Sequence, residues 1–248
     1  MPVRRLDQLL AARGCGSRKD AAALIKAGAV RVNGNAAHGG DQKIDTEKDS
    51  VTLRGEPVAL EDYVYYLLHK PLGVISASRD PKAATVLDLL PEPWRRRGLF
   101  PAGRLDKEST GLLLLTNDGA LAHALLSPRR HVAKTYVATL AAAATPADAA
   151  AFAAGMHLPP ADGHPPEDCQ PAKLIPLPGN RAEVTLREGK YHQIRRMFAQ
   201  RGNEVLALHR TAMGSLRLED ELQPGQCRPL TAAEVAGLKG VQAAGGMF

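Results

Sequence analysis

Apolar and polar positions near the start of the chain fall into short, punctuated blocks. Leu6, Leu9 and Leu10 stand at i, i+3 and i+4, the spacing of one helical face, and Gly14 closes that segment. Ser17-Arg18-Lys19-Asp20 has the form of a capping box, so Ser17 is an expected N-cap and Ala21 to Ala27 an expected helix that stops at Gly28. Val30-Arg31-Val32 alternates as a strand and runs into Asn33-Gly34, a strong signal for a two-residue hairpin turn. Glu56 to Asp62 reads as a polar join. After it, Tyr63 to Leu68 predicts a strand that Lys70-Pro71-Leu72-Gly73 ends in a turn.

Further on, the run Leu112-Leu113-Leu114-Leu115 is bounded by Gly111 and by Asn117-Asp118-Gly119, which fits a fully buried strand followed by a turn. Leu121, Leu125 and Leu126 suggest a short helix, and Lys134 to Leu140 alternates like another strand. Thr145-Pro146-Ala147-Asp148 is a second capping box with proline at the first helical position, predicting a helix to Gly155. LPPADGHPPEDCQP then reads as a loop. Two strands, Ala172 to Leu177 and Ala182 to Leu186, are joined by Pro178-Gly179-Asn180, and the spacing of Ile194, Met197 and Phe198 predicts a helix with one buried face. Strands and helices interleave without a repeat.

Composition adds less than pattern does. The 248 residues are 44% hydrophobic and 23% charged, an ordinary globular balance for one large domain or a small plus a larger one. No apolar stretch reaches the roughly 18 residues of a membrane span, and MPVRRLDQLL has no apolar signal-peptide core, so a cytoplasmic protein is expected. Cys15, Cys169 and Cys227 are too far apart for a disulfide framework or a zinc motif. The net charge of +6 is unevenly placed. Residues 1 to 31 carry seven basic side chains against two acidic, and residues 181 to 217 carry eight against three, which favours a polyanionic partner.

Candidate chemistry concentrates before the leucine run, in PAGRLDKESTG. A carboxylate there, Asp106, is either a turn or capping residue or a reactive group on a rigid mount. His192 is open to reading as a general base or as a helix-start histidine with a hydrogen-bonding or packing role. His164 and Cys169 have no third or fourth ligand beside them, so no metal is expected. Arg95-Arg96-Arg97 and Arg129-Arg130 are either contacts to the polyanionic partner or plain surface charge.

RRLDQLLAARGCGSRKDAAALIKAGAVRVNGNAA resembles the S4 RNA-binding domain. That resemblance implies that Arg4, Arg18, Lys19 and Lys26 contact phosphates of structured RNA, supplying affinity and register rather than sequence reading. Taken together, GRLDKESTGLLLLTNDG, KTYVATL and LREGKYHQIRRMF closely resemble the pseudouridine synthases of the RsuA family, over nearly the whole chain. The implied fold is α+β, with an S4-like domain over 1–60, a catalytic domain over 63–240 on a mostly antiparallel mixed sheet with flanking helices, and a disordered tail over 241–248. By the same resemblance Asp106 is the catalytic aspartate, Tyr136 the active-site tyrosine and Arg195 the basic partner of the aspartate. Arg104 is either a plain surface arginine or a candidate for filling the space left by an extracted nucleotide or gripping its phosphate. Lys70, in a KPxG block shared with the family, shapes the active-site floor or the RNA path, or simply the turn.

The reaction so implied isomerises a uridine of ribosomal RNA with no cofactor, phosphate donor or metal. SPRRHVAKTY, LREGKYHQIRRMF and GNEVLALHRTAMG look most like the group acting on 16S rRNA; the alternative is 23S rRNA. The substrate is free RNA or an assembly intermediate, and the protein is expected to be a monomer. Two readings from other classes compete: a non-catalytic RNA-binding assembly protein, and a hydrolase that uses the same aspartate to release uracil.

Overall fold

The computed structural model describes residues 3–46, 48–58, 60, 63–95, 97–127, 130 and 132–244. The chain divides into two compact units, residues 1–64 with 90–99, and residues 65–89 with 100–248. Residues 90–99 thus group with the first unit, although the boundary expected from sequence left them in the second domain.

The first unit contains β1 (Val3–Arg5), α1 (Leu6–Ala12), α2 (Arg18–Lys26), β2 (Val30–Val32), β3 (Asn35–Ala36), β4 (Lys43–Asp45), β5 (Val51–Leu53) and β6 (Glu56–Val58). Ser17 caps α2, and Asp20 completes the capping box by accepting from the Ser17 backbone. Asn33 and Gly34, at φ 51° and 81°, form the two-residue turn between β2 and β3. Strands β3-β2-β5-β6 make one small sheet, and β1 pairs with β4. Leu6, Leu9, Leu10, Ile25, Val30 and Ile44 form the core. A short helix, α3 (Glu92–Arg95), belongs to the same unit.

The second unit is built on one mixed sheet. Its elements are β7 (Tyr65–Lys70), β8 (Phe100–Pro101), β9 (Ser109–Thr116), α4 (Gly119–Leu126), β10 (Lys134–Leu140), α5 (Pro146–Ala154), β11 (His157–Leu158) and β12 (Glu167–Asp168). There follow β13 (Lys173–Leu177), β14 (Arg181–Leu186), α6 (Gln193–Gln200), β15 (Val205–Met213), β16 (Leu216–Arg217), β17 (Cys227–Pro229) and α7 (Ala232–Ala244). The strand order is β13-β14-β10-β15-β9-β7-β17, with β16 against β15 and β8 against β9. Pairing is antiparallel except between β15 and β9.

That parallel pair fixes where β9 starts. Gly111 lies opposite Arg210 at φ +107°, and a Cβ there would sit 2.2 Å from the Arg210 carbonyl oxygen. Only glycine permits both the backbone angle and this close approach. Two cores flank the sheet: Tyr136, Val184, Ile194, Met197 and Phe198 in one, and Leu67, Leu112, Leu114, Leu125 and Met213 in the other.

Three expectations change. LPPADGHPPEDCQP is not wholly loop, because its ends join the two-stranded pair β11–β12. Asp118 is more than a turn residue: it caps α4 by accepting from Leu121 N at 2.9 Å, and it accepts the Tyr65 hydroxyl at 2.8 Å. The expected tail from 241 is corrected as far as Ala244, where α7 ends; residues 245–248 lie outside the described residues. This helix begins with a capping box, Thr231 and Glu234, and is tied down by Arg228, which reaches both Glu219 and Glu234 at 2.7 Å.

Gly111→Ala is expected to destabilise the protein by about 3 kcal/mol or more, through strain and steric clash in a buried strand. Thermal melting of the variant beside wild type checks this. Arg228 holds the Glu234 carboxyl down at about 2, so its contribution to stability is complete above the ordinary glutamate range and disappears as pH falls through about 2. Glu234→Ala should therefore cost about 1–2 kcal/mol at neutral pH, with the difference from wild type shrinking below pH ~4.5. Denaturant titrations across that range measure it.

Candidate active site

The segment between β8 and β9 carries Arg104, Leu105 and Asp106, and its backbone is held at every carbonyl from 105 to 109. Leu105 is a buried plug in the core that contains Tyr136 and Ile194. Its N–H donates to Ser76 Oγ at 3.0 Å, and Ser76 Oγ donates back to its carbonyl at 2.8 Å. The Asp106 carbonyl accepts from Ser109 N at 3.0 Å, and the Lys107 carbonyl from Gly73 N at 3.0 Å. Arg195 donates to the Glu108 carbonyl at 3.2 Å. Lys70 donates to the Ser109 carbonyl at 2.8 Å and to that of Pro71 at 3.0 Å, with Lys107 O at 3.5 Å. The loop is anchored from below while the Asp106 side chain remains 34% exposed.

Lys70 is completely buried at the end of β7. This corrects its place among the RNA contacts, since its ammonium is spent on loop carbonyls and reaches no surface. Burial pulls its pKa down to about 8, against the opposing pull of the Asp106 and Glu108 carboxylates. Lys70 thus supports the floor beneath Asp106.

Tyr136 lies on β10, its side chain in the core, opposite Val184 of β14 and Arg210 of β15. The Arg210 guanidinium stands 6.0 Å from the Tyr136 ring centroid, and its Nε donates to the Leu112 carbonyl at 2.7 Å. Sequence reasoning counted Arg210 only as one more basic residue. At 1% exposure it is instead a buried link between β15, β9 and the tyrosine. An arginine in a segment that otherwise alternates as a strand, VLALHRTAM, was the available signal.

Arg195 emerges from the first turn of α6, but not to Asp106. Its guanidinium donates to Val205 O at 2.7 Å and Glu108 O at 3.2 Å, and no ion pair joins it to the aspartate among the described residues. The expected pairing is corrected for this structure: two carbonyls occupy the donors. The basic side chain nearest the Asp106 carboxylate among the described residues is instead His192, with Nε2 at 3.7 Å from Oδ1. Arg104 is exposed and makes no hydrogen bond or ion pair among the described residues.

In the first unit Lys19 and Lys26 are exposed along α2. Arg18 is also exposed but bonds Asp7 at 2.9 Å, which Arg5 grips through Nε and Nη2, both at 3.1 Å. Hydrogen bonding from Arg5 leads in holding the Asp7 carboxyl down to about 2. Arg4 is half-buried on β1. Arg96 and Arg129 lie outside the described residues. His164 stacks on Tyr191, and burial pushes the Cys169 thiol up to about 11.

Comparison with known proteins accords with this geometry. Residues 64–200 match the family described as RNA pseudouridylate synthase, and residues 4–38 match the S4 domain. The chain is 42% identical over 236 residues to ribosomal small subunit pseudouridine synthase A of Pseudomonas aeruginosa, covering 93% of this chain and 98% of that protein. It is 39% identical to the protein of the same name from Escherichia coli K12, covering 94% and 98%. An uncharacterized RNA pseudouridine synthase of Bacillus subtilis is 42% identical, covering 93% and 96%. Among solved structures, a crystal structure of pseudouridylate synthase aligns with TM-score 0.66 and 36% identity, covering 94% of this chain and 99% of that one.

Ser76→Ala would strip the Leu105 N–H and carbonyl of their buried partner. The expected result is a loss of about 1–3 kcal/mol in stability, read by thermal melting.

Proposed function

This chain belongs to the RNA pseudouridylate synthase family, and on that premise we propose that it converts one uridine of small-subunit (16S) ribosomal RNA to pseudouridine. The observation that carries the reading is Asp106 itself: a partly exposed carboxylate on a segment whose carbonyls from 105 to 109 are all bonded, set beside the core that holds Tyr136. The small-subunit target is supported by the printed names of relatives near 40% identity across almost their whole length.

The reaction breaks the N1–C1′ bond, turns the uracil while it stays bound, and joins C5 to the same sugar carbon, with loss of the C5 proton and gain of one at N1. Asp106 supplies the carboxylate at the sugar or base where the bond is broken. Tyr136 packs against the base and takes part in removing the C5 proton. Arg195 fixes the loop through Glu108 O and supplies positive charge beside it. The target nucleotide must leave its stack, at a cost of about a few kcal/mol. Arg104, exposed and uncommitted among the described residues, is placed to fill the gap or grip the phosphate.

The domain limits in this reading are 1–60 for RNA binding and 63–240 for catalysis. Arg4, Arg18, Lys19 and Lys26 make phosphate contacts, Lys19 and Lys26 being the exposed pair without a carboxylate partner among the described residues. The protein works in the cytoplasm as a monomer, on free RNA or a ribosomal assembly intermediate.

The test incubates wild type and Asp106→Asn separately with unmodified 16S and 23S rRNA and with small-subunit particles, then maps pseudouridine by carbodiimide-stop primer extension. One new stop in 16S RNA, absent with the variant, is the expected outcome. Stops confined to 23S RNA overturn the target, and release of free uracil overturns the isomerase.

A further inference from the structure

His192 stands in an unusual place for a helix-start residue. It is the N-cap of α6, yet its backbone is left-handed, φ 46° and ψ 33°, and its side chain makes no capping hydrogen bond. A bulky non-glycine residue pays for that conformation, and such strain persists only where the surroundings impose it. The surroundings here are visible. The Tyr191 ring lies 4.1 Å from the rings of both His164 and His192, at 12° in each case. Two rings so close and so nearly parallel to a third must cover its opposite faces, so the three form a column with His192 at one end.

The other end belongs to the proline-rich segment between β11 and β12. That segment is strapped to the start of α6: Tyr191 Oη donates to Asp162 Oδ2 at 3.3 Å, and Arg196 reaches Pro159 O at 2.7 Å and Glu167 Oε2 at 2.8 Å. Arg196 also donates to the Tyr191 carbonyl at 3.1 Å. Backbone and ring of the Tyr191-His192 pair are thereby held from two directions. What the held ring faces is Asp106, at 3.7 Å from Nε2 to Oδ1, while Lys70 and Arg195 spend their donors on carbonyls.

We propose that His192 is a positioning residue for Asp106, its ring fixed by the Tyr191–His164 stack so that Nε2 orients the aspartate carboxylate. At 3.7 Å the separation is longer than a hydrogen bond, and catalytic contacts of this kind tighten to one in the complex with substrate. The proposal rests on the pseudouridine synthase reading, and it assigns a function to the segment over 159–166 as the support of the stack.

Two substitutions separate the donor from the ring. His192→Phe keeps a stacking ring without a donor, whereas His192→Gln keeps an amide N–H close to the position of Nε2 without the ring. Single-turnover and steady-state assays on the RNA that wild type modifies, with melting curves to show that each variant folds, are the measurement. The expected result is a fall in kcat of about 10- to 100-fold for His192→Phe, KM within about twofold of wild type, and recovery of at least about a third of wild-type kcat in His192→Gln. Full kcat in His192→Phe, a failure of His192→Gln to recover, or a loss confined to KM overturns it. A wild type that makes no pseudouridine in any RNA overturns the family reading and this inference together, while an active wild type with an active His192→Phe removes this inference alone.

Discussion

Five consecutive carbonyl groups, Leu105 to Ser109, each need a donor in a segment that must also keep one carboxylate accessible. A hydroxyl, two backbone N–H groups, an ammonium and a guanidinium supply them: Ser76, Ser109, Gly73, Lys70 and Arg195. The bonds to the Leu105 and Ser109 carbonyls are buried, where an unpaired carbonyl would cost about 1–3 kcal/mol, and the loop cannot shift without losing several bonds at once. The donors come from the end of β7, the turn after it, and the first turn of α6. Sheet order and helix placement therefore converge on this one stretch of backbone, and the KPxG block is explained by it: Lys70 supplies the ammonium and Gly73, at φ +84°, the N–H.

The mixed sheet adds a constraint of its own. If β15 is to run parallel beside the first residues of β9, the two backbones must approach at Gly111, and Arg210 must place its long side chain inside the fold. A buried guanidinium is expensive unless bonded, and only part of it is: Nε finds Leu112 O, while Nη2 has no hydrogen-bond partner among the described residues. The Tyr136 ring face offers it some electrostatic compensation. Lys134 nearby is desolvated as well, and both its burial and the Arg210 charge lower its pKa. Two neighbouring buried cations around the tyrosine are a cost that packing of hydrophobic strands alone would never incur.

Local chemistry made much of the fold legible. Ser17 with Asp20, Thr145 with Asp148, and Asn33-Gly34 act within a few residues, so their geometry follows from sequence spacing and appears as read. The leucine run is a strand for an equally local reason, though it extends from Ser109 to Thr116. What escaped depends on distant partners. β15 hides behind His209 and Arg210, which are tolerable in a buried strand only because Thr110 and Leu112 O receive them. The brief strands β11 and β12 exist only as each other's partner. Thr231 and Glu234 were a readable capping box that went unused. At the site, Asp106 and Tyr136 could be located from sequence, but the committed donors of Lys70 and Arg195 could not, since both depend on where Val205, Glu108 and Ser109 lie in space.

Those commitments bear on how the Asp106 carboxylate is presented. An arginine paired bidentately with Asp106 would stabilise the carboxylate and also occupy the oxygens that a substrate needs. In this structure Lys70 and Arg195 are directed at backbone carbonyls instead, and the contact left to the carboxylate is a histidine beyond hydrogen-bond length. The imidazole thus stands beside the carboxylate without capping it. Rigidity and accessibility usually oppose each other, because the bonds that fix a side chain also use its polar atoms. Fixing the backbone at 105 to 109 and leaving the side chain almost unbonded resolves that conflict: the carbonyls carry the positional precision, and both carboxylate oxygens stay accessible.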